Sequence, residues 1–330
     1  MVSTYHRRRN SRSAALTVEG EPALMDFSHG NGSPGSIEPE TLTHPSLPRV
    51  IWMLWFQGEE QAPEIVRCCL ESWRQLNPGW QVVVLDRTSV ARYAETGLSE
   101  ATFQSLGVQM QANLVRLALL LRHGGVWADA TTLCTRPLDA FITDLVAPSG
   151  FFAFTNASRE RLISNWFLAA CPRHPIVGTL RDRLLRYFSC YPPQPRYPRW
   201  QRLLHKAARE VFKIHPAATR LWLRQPVIAL TGRYPYFLFH YTFAELLSSD
   251  QQFKVLWNRT PDLSNQAAKS LSRMALRSVS DHQAGTAVAA AAAGGLFKLS
   301  WKNPAVAAIP AGTQVSCALE AYRTASPAES

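Results

Sequence analysis

An α/β fold with a mostly parallel central sheet flanked by helices is what this sequence predicts, and two stretches predict it. Residues 47–86 read as strand, helix, strand within about forty residues, the spacing of a crossover unit between parallel strands. Residues 110–133 read as a helix that runs through a double glycine into another apolar strand.

The elements follow in order. Folding begins near Pro48, and Val50 to Phe56 is an apolar, β-prone run that gives way to a loop at Gln57-Gly58. Pro63 opens a helix whose Val66, Cys69, Leu70, Trp73 and Leu76 form one apolar stripe. Asn77-Pro78-Gly79 ends it, and Trp80 to Leu85 is the next strand. Farther on, Met110, Leu114, Leu117, Ala118 and Leu121 recur at helical spacing and bury one face. Asn113, Arg116, Leu120 and His123 fall on another, where Asn113 and Arg116, three apart, reach the same ligand group. Gly124 and Gly125 stop that helix, because glycine takes the left-handed conformation without steric cost. The run VWADATTL then reads as a buried strand, with Trp127, Asp129 and Thr131 on one side and Val126, Ala128 and Ala130 on the other.

A carboxylate followed two residues later by a hydroxyl suits a hard divalent cation such as Mn²⁺ or Mg²⁺, which would make Asp129 and Thr131 its ligands. Alone, the spacing fits equally a turn Asp making local hydrogen bonds. Ligands of open α/β sheets gather at the carboxyl ends of strands, here Trp55, Gln57, Gly58 and Asp86. Trp55 either stacks on a nucleobase or fills the core. Asn165, beside Trp166 in an apolar stretch, either bonds a ligand hydroxyl or caps local backbone. Lys298 and Lys302 alternate with Phe297, Leu299 and Trp301, so an extended segment aims both lysines one way, to neutralise an anion or to guard an exposed edge. His240, inside the apolar run YFLFHYTF, reads as a core histidine. Neither GxGxxG nor GxxxxGK[ST] occurs, which removes support for nicotinamide and P-loop nucleotide binding.

Composition bounds the function. A chain of 330 residues, 46% hydrophobic, buries a sizeable core. Its formal charge of +11 favours an anionic partner. Between Arg196 and Arg233 nine Lys or Arg face one acid, Glu210, and RWQRLLHKAAREVF sets Leu203, Leu204, Ala207 and Val211 on one side of a helix. A donor diphosphate, a lipid-diphosphate at a membrane and a nucleic acid all suit that charge, as does a solvated basic face. Nucleic acid is set aside, since no helix-turn-helix or RNA-binding signature accompanies it. No apolar run reaches the roughly 18 residues of a membrane span, and the basic start has no secretory apolar segment after it. The expectation is cytoplasmic residence, peripheral at the inner membrane surface. Six cysteines without Cys-x-x-Cys spacing read as reduced core thiols. Residues 1–46 read as a disordered basic tail, 281–295 as an Ala/Gly-rich stretch that is a flexible loop, able to act as a lid, or an irregular helix, and 303–330 as a carboxyl-terminal tail.

The string QANLVRLALLLRHGGVWADATTLCTRPLD at 111–139 resembles the capsular polysaccharide synthesis proteins and related glycosyltransferases with a DXD-type sugar-binding region. In those, a helix with Asp-x-x-Arg leads into Gly-Gly-(aromatic)-x-Asp-x-(Asp or Thr). The likeness continues, in order, through residues 47–86, Asn165-Trp166-Phe167, YFLFHY at Tyr236 to Tyr241 and FKLSWK at Phe297 to Lys302, most of residues 47–302. Asn113 stands where the family helix usually carries Asp, and Thr131 at the second acidic position. The resemblance implies a GT-A (Rossmann-like) nucleotide-sugar transferase fold over 47–302. It implies metal-dependent, retaining transfer from a nucleotide-diphosphate sugar, UDP-sugars first, to a hydroxyl of a glycan or lipid-linked glycan. Asp129, Arg116 and Asn113 are then catalytic, with Asp129 and Thr131 at the metal. Donor contacts fall to Trp55, Gln57, Gly58, Asp86, Asn113, Arg116, Trp127, Asn165, Lys298 and Lys302. A noncatalytic sugar-nucleotide or anionic-polymer binding protein is the alternative, kept open by Asn113.

Overall fold

The computed structural model describes residues 46–158, 160–192, 198–214, 216–232 and 234–323. The amino-terminal stretch expected to be a tail lies, but for Ser46, outside them.

A five-stranded sheet runs in the order β2-β1-β3-β6-β5, from β1 (Val50–Leu54), β2 (Gln81–Leu85), β3 (Gly125–Ala128), β5 (Phe151–Ser158) and β6 (Arg161–Ala170). β1 pairs in parallel with both β2 and β3, while β6 runs antiparallel to β3 and β5. Four strands therefore point one way and β6 alone opposes them, the mostly parallel sheet that the crossover spacing predicts. A separate two-stranded ribbon joins β4 (Thr132–Cys134) to β7 (Leu296–Lys298).

The central strands are buried on both faces, which is why β1 reads as unbroken apolar sequence. Ile51, Met53, Val126 and Ala128 turn to the side of helix α1 (Glu64–Leu76), whose Val66, Cys69, Leu70 and Trp73 meet them. Val50, Trp52, Leu54 and Trp127 turn to the other side, where helices α2 (Val108–His123) and α3 (Pro175–Cys190) pack. This period-two partition is the strand geometry expressed as two cores. Helices α4 (Arg199–Ile214), α5 (Leu238–Ser249) and α6 (Gln251–Arg259) follow. The six cysteines are free, four of them buried, as core thiols are.

Three sequence expectations are corrected. The run after Gly125 is not one strand: β3 stops at Ala128, and Thr132 N donates to Asp129 O at 2.8 Å across a tight turn. β4 then leaves the main sheet for β7, so alternation does not place Thr131. The Ala-rich stretch, expected to be a flexible loop or an irregular helix, is the regular helix α7 (His282–Ala292), begun by Asp281, whose carboxylate accepts from Ala284 N at 3.0 Å. Low side-chain entropy makes alanine the best helix former, so a capped alanine run folds. Nor are residues 303–323 a tail, because Val306, Ile309, Val315 and Leu319 are buried in the α1-side core.

The double glycine is required by space as well as by φ. Gly125 has φ 92°, and a Cβ there would stand 2.5 Å from both Val50 O and Val50 Cγ1. At Gly124, φ 66°, the same atom would meet Pro172 N at 2.8 Å. Both clashes involve backbone, which cannot swing aside. Gly125→Ala is expected to cost about 2–3 kcal/mol of stability, read as a lowered urea midpoint with unchanged m-value.

Candidate functional site

A cavity of about 750 Å³ opens at the carboxyl ends of β1 and β3. Among the described residues Asp129 is the only carboxylate-bearing lining residue, against five cations: Arg116, Arg161, Lys269, Lys298 and Lys302. Such a positive excess selects an anionic ligand.

Asp129 sits one residue past β3, where Asp129 N still donates to Trp166 O at 2.8 Å. Its Oδ1 accepts from Trp127 Nε1 at 3.0 Å and Arg116 Nη2 at 3.2 Å, and its Oδ2 from Lys298 Nζ at 2.9 Å. Burial opposes ionisation of this carboxyl, but the adjacent Lys298 and Arg116 charges outweigh it and hold its pKa below the ordinary value. The Arg116 side chain is 5% exposed, whereas Asp129 keeps 29% open to the cavity. Arg116 is aimed by its own helix, donating from Nε to Ala112 O at 3.2 Å. It also donates to Asn165 O and lies over the Trp127 ring at 4.9 Å. Burial lowers the Arg116 pKa while Asp129 opposes that shift, so the pair is mutually dependent.

The three-residue spacing of Asn113 and Arg116 does bring both to one group. That group is Asn165: its Nδ2 donates to Asn113 Oδ1 at 2.9 Å, and its carbonyl accepts from Arg116. An amide at position 113 suits this role, because it accepts without adding a second buried negative charge beside Asp129.

Lys298 arrives from 169 residues away through a backbone register. In the β4–β7 ribbon Thr132 pairs with Lys298, and Leu299 N donates to Thr131 O at 2.9 Å. Lys298 Nζ thereby bridges Asp129 Oδ2 and Thr131 Oγ1, at 2.9 and 2.5 Å. These are the two atoms that the sequence nominates for Mn²⁺ or Mg²⁺. An ion touching both at its usual distance of about 2.1 Å would need the volume Nζ fills. Among the described residues, no group of three or more His, Cys, Asp or Glu could hold a metal. In this arrangement the site fits an ammonium and does not fit the cation.

Trp55 and Gln57 line the cavity, with Trp301 edge-on to Trp55 at 5.4 Å between centroids. Trp55 Nε1, Trp166 Nε1 and His240 Nδ1, all on cavity-lining residues, are buried without a hydrogen-bond partner among the described residues.

Two nominated residues are elsewhere. Asp86 does not line the cavity; its Oδ1 accepts from Thr88 N, Ser89 N and both hydroxyls, a closed local turn. The Ser89 and Thr88 bonds pull its pKa to about 2. Gly58 also lies outside the lining and serves a turn at φ 88°. Conversely, Arg161 and Lys269 are in the lining without any sequence signal, one at the start of β6 and one before a short helix. Arg161 lies over the Phe237 ring at 4.4 Å. For Lys269, burial first, then Arg161 and Arg273, lower the pKa.

His240 is buried in α5, and burial, then Arg161 and Arg116, drop its pKa from 6.5 to about 3. It stays neutral in the fold but takes a proton when unfolded. Between pH 6.5 and 3 the unfolded chain therefore binds more protons, and stability falls as pH falls, by up to about 1.4 kcal/mol per unit. His240→Gln is expected to flatten this dependence, seen by comparing urea midpoints of both proteins at pH 6.5 and 4.5.

The chain belongs to the capsular polysaccharide synthesis protein family, whose model matches residues 31–225, more than half its length. It is similar to Inositol phosphoceramide mannosyltransferase 1 of Schizosaccharomyces pombe, 27% identical over 180 residues, covering 52% of each chain. It is also similar to Glycosyltransferase afumC of Aspergillus fumigatus, 30% identical over 159 residues and 41% of each. The chain thus spans about half or less of these relatives' length. Among solved structures, the PaToxG Glycosyltransferase aligns over 82% of this chain and 87% of its own, with 10% identity and a TM-score of 0.35.

Proposed function

We propose that the protein is a glycosyltransferase that takes a sugar from a nucleotide-diphosphate sugar, UDP-sugars first, and passes it to a hydroxyl of a glycan or lipid-linked glycan. The observation that carries this reading is Asp129, held ionised between Arg116 and Lys298 in a cavity whose other charged lining residues, among those described, are cations. Family membership and two relatives named as transferases agree with it.

The diphosphate is the anion that the cationic walls select. The nucleobase lies along Trp55 and Trp301, and the sugar hydroxyls reach Asp129 and the Asn113–Asn165 pair. When the bond from the anomeric carbon to the phosphate oxygen breaks, negative charge develops on the leaving diphosphate. Lys298 and Lys302 stabilise that charge, and a fixed cation in a water-poor site does so without reorganising. The reading routes no step through a divalent cation, since Lys298 fills the place between Asp129 and Thr131.

Retention of anomeric configuration belongs to the same proposal. Inversion would call for a free base near the acceptor hydroxyl, by analogy with inverting hydrolases. Among the described residues the lining supplies one carboxylate, tied by three donors, and a histidine whose basicity burial has lowered. The leaving phosphate oxygen then takes the acceptor proton as the acceptor oxygen bonds the anomeric carbon on the face being vacated. The test is to incubate the purified chain with a panel of nucleotide-sugars and glycan acceptors, reading product anomers by NMR coupling. Nucleoside-diphosphate release with a retained product supports the reading. Tight nucleotide binding with no turnover across the panel leaves a binding protein instead.

A further inference from the structure

Helix α4 carries its apolar residues on the wrong side for a core. His205 and Phe212 turn inward against the buried Trp222, with ring centroids at 4.9 and 5.2 Å. Trp200, Leu203 and Val211 stand outward, 55%, 69% and 58% exposed, with Leu204 beside them. At 3.6 residues per turn these outward positions form one stripe. Arg199, Arg202 and Lys206, all exposed, form a row along its edge, continued by Arg209, which is ion-paired with the exposed Glu210 at 2.8 Å. A soluble surface has no use for a contiguous apolar stripe with a basic border, and such a stripe marks an interaction site.

We propose that α4 is an interfacial helix that lies on the surface of an anionic lipid bilayer. Its apolar stripe enters the boundary between headgroups and acyl chains, and its basic row pairs with lipid phosphates. Charge decides between the occupants. Two copies meeting antiparallel on this stripe would bring identical basic rows together, whereas a negatively charged leaflet, as on cytoplasmic membrane faces, complements the row in any orientation of the helix. No helix among the described residues is long and apolar enough to cross a membrane, so α4 would hold the chain at the surface. The placement also serves the cavity. The short helix Pro216–Leu223 packs against both α4 and α5, and α5 carries His240 in the cavity wall. That a lipid-linked acceptor is met at this surface rests on the transfer reading; the docking does not.

The test is cosedimentation of the full chain with vesicles of phosphatidylcholine alone or mixed with phosphatidylglycerol. Binding to the mixed vesicles that weakens with salt is expected, with little on phosphatidylcholine. The double variants L203E/V211E and R202E/K206E are each expected to lower the partition coefficient at least about tenfold. These side chains are solvent-facing, so thermal unfolding and nucleoside-diphosphate binding should stay as in the wild type. Absence of vesicle binding, or binding untouched by either variant, overturns the proposal. So does a wild-type dimer that L203E/V211E converts to monomer, which would assign the stripe to a second copy. Failure of sugar transfer with vesicle binding intact would instead count against the transfer reading alone.

Discussion

Asp129→Asn is expected to reduce sugar transfer by about 10³-fold or more and to destabilise the fold by about 3 kcal/mol. The substitution keeps the shape and removes the charge. Arg116, only 5% exposed, is left as a buried cation without its counter-charge, and such losses exceed the net worth of the pair itself. The activity loss follows because Lys298 and Arg116 take their positions from the same carboxylate. The sign with pH agrees. A carboxyl whose folded pKa is depressed contributes stability that is complete above its unfolded value of 3.8 and lost as pH falls through the lower folded value. Urea midpoints at pH 7 and near pH 3 should therefore separate wild type from Asp129→Asn more at the first than at the second. Equal kcat in the two proteins would sink the assignment.

Lys298→Ala is expected to lower kcat by about 10²–10³-fold, the usual cost of removing one preorganised group from a developing oxyanion. Chelation of divalent ions is expected to leave the wild type unchanged, since the ammonium already spans Asp129 Oδ2 and Thr131 Oγ1. The variant gives the sharper result. With Nζ gone, a carboxylate and a hydroxyl face open space, so Mn²⁺ should restore part of its activity while doing nothing for the wild type. A wild type silenced by EDTA and revived by Mn²⁺ would show that Lys298 moves aside for an ion, and the electrostatic assignment would fall.

Much of the site was legible because its parts are local. The helix face of α2, the two glycines and the acid after β3 lie within twenty residues, where periodicity and backbone sterics speak directly. Asn113, Arg116, Trp127 and Asp129 do meet, and Trp55, Gln57, Asn165, Lys298 and Lys302 share their cavity. The misplacements have equally physical causes. Asp86 ends a strand, as the rule for ligand sites requires, but Thr88 and Ser89 behind it offer donors that satisfy it on the spot. Thr131 keeps its place beside Asp129 by a turn, since β3 and β4 belong to different sheets. The Ala-rich stretch read as a flexible loop or irregular helix is a regular capped helix, a case where composition suggested flexibility and propensity gave order.

The sequence by itself determined the crossover unit, the two-sided burial of the sheet, the sterically obligatory glycines and the acid they deliver to the strand end. Each depends on neighbours in the chain. Only the tertiary structure decided what surrounds that acid: the β4–β7 register that seats Lys298 in a cation's place, and the arrival of Arg161 and Lys269 from separate elements. It also decided that α4 turns its apolar stripe outward, because which face of a helix is buried depends on where Trp222 waits to receive it. Periodicity shows that a helix has two faces; only packing against distant residues selects which one meets solvent.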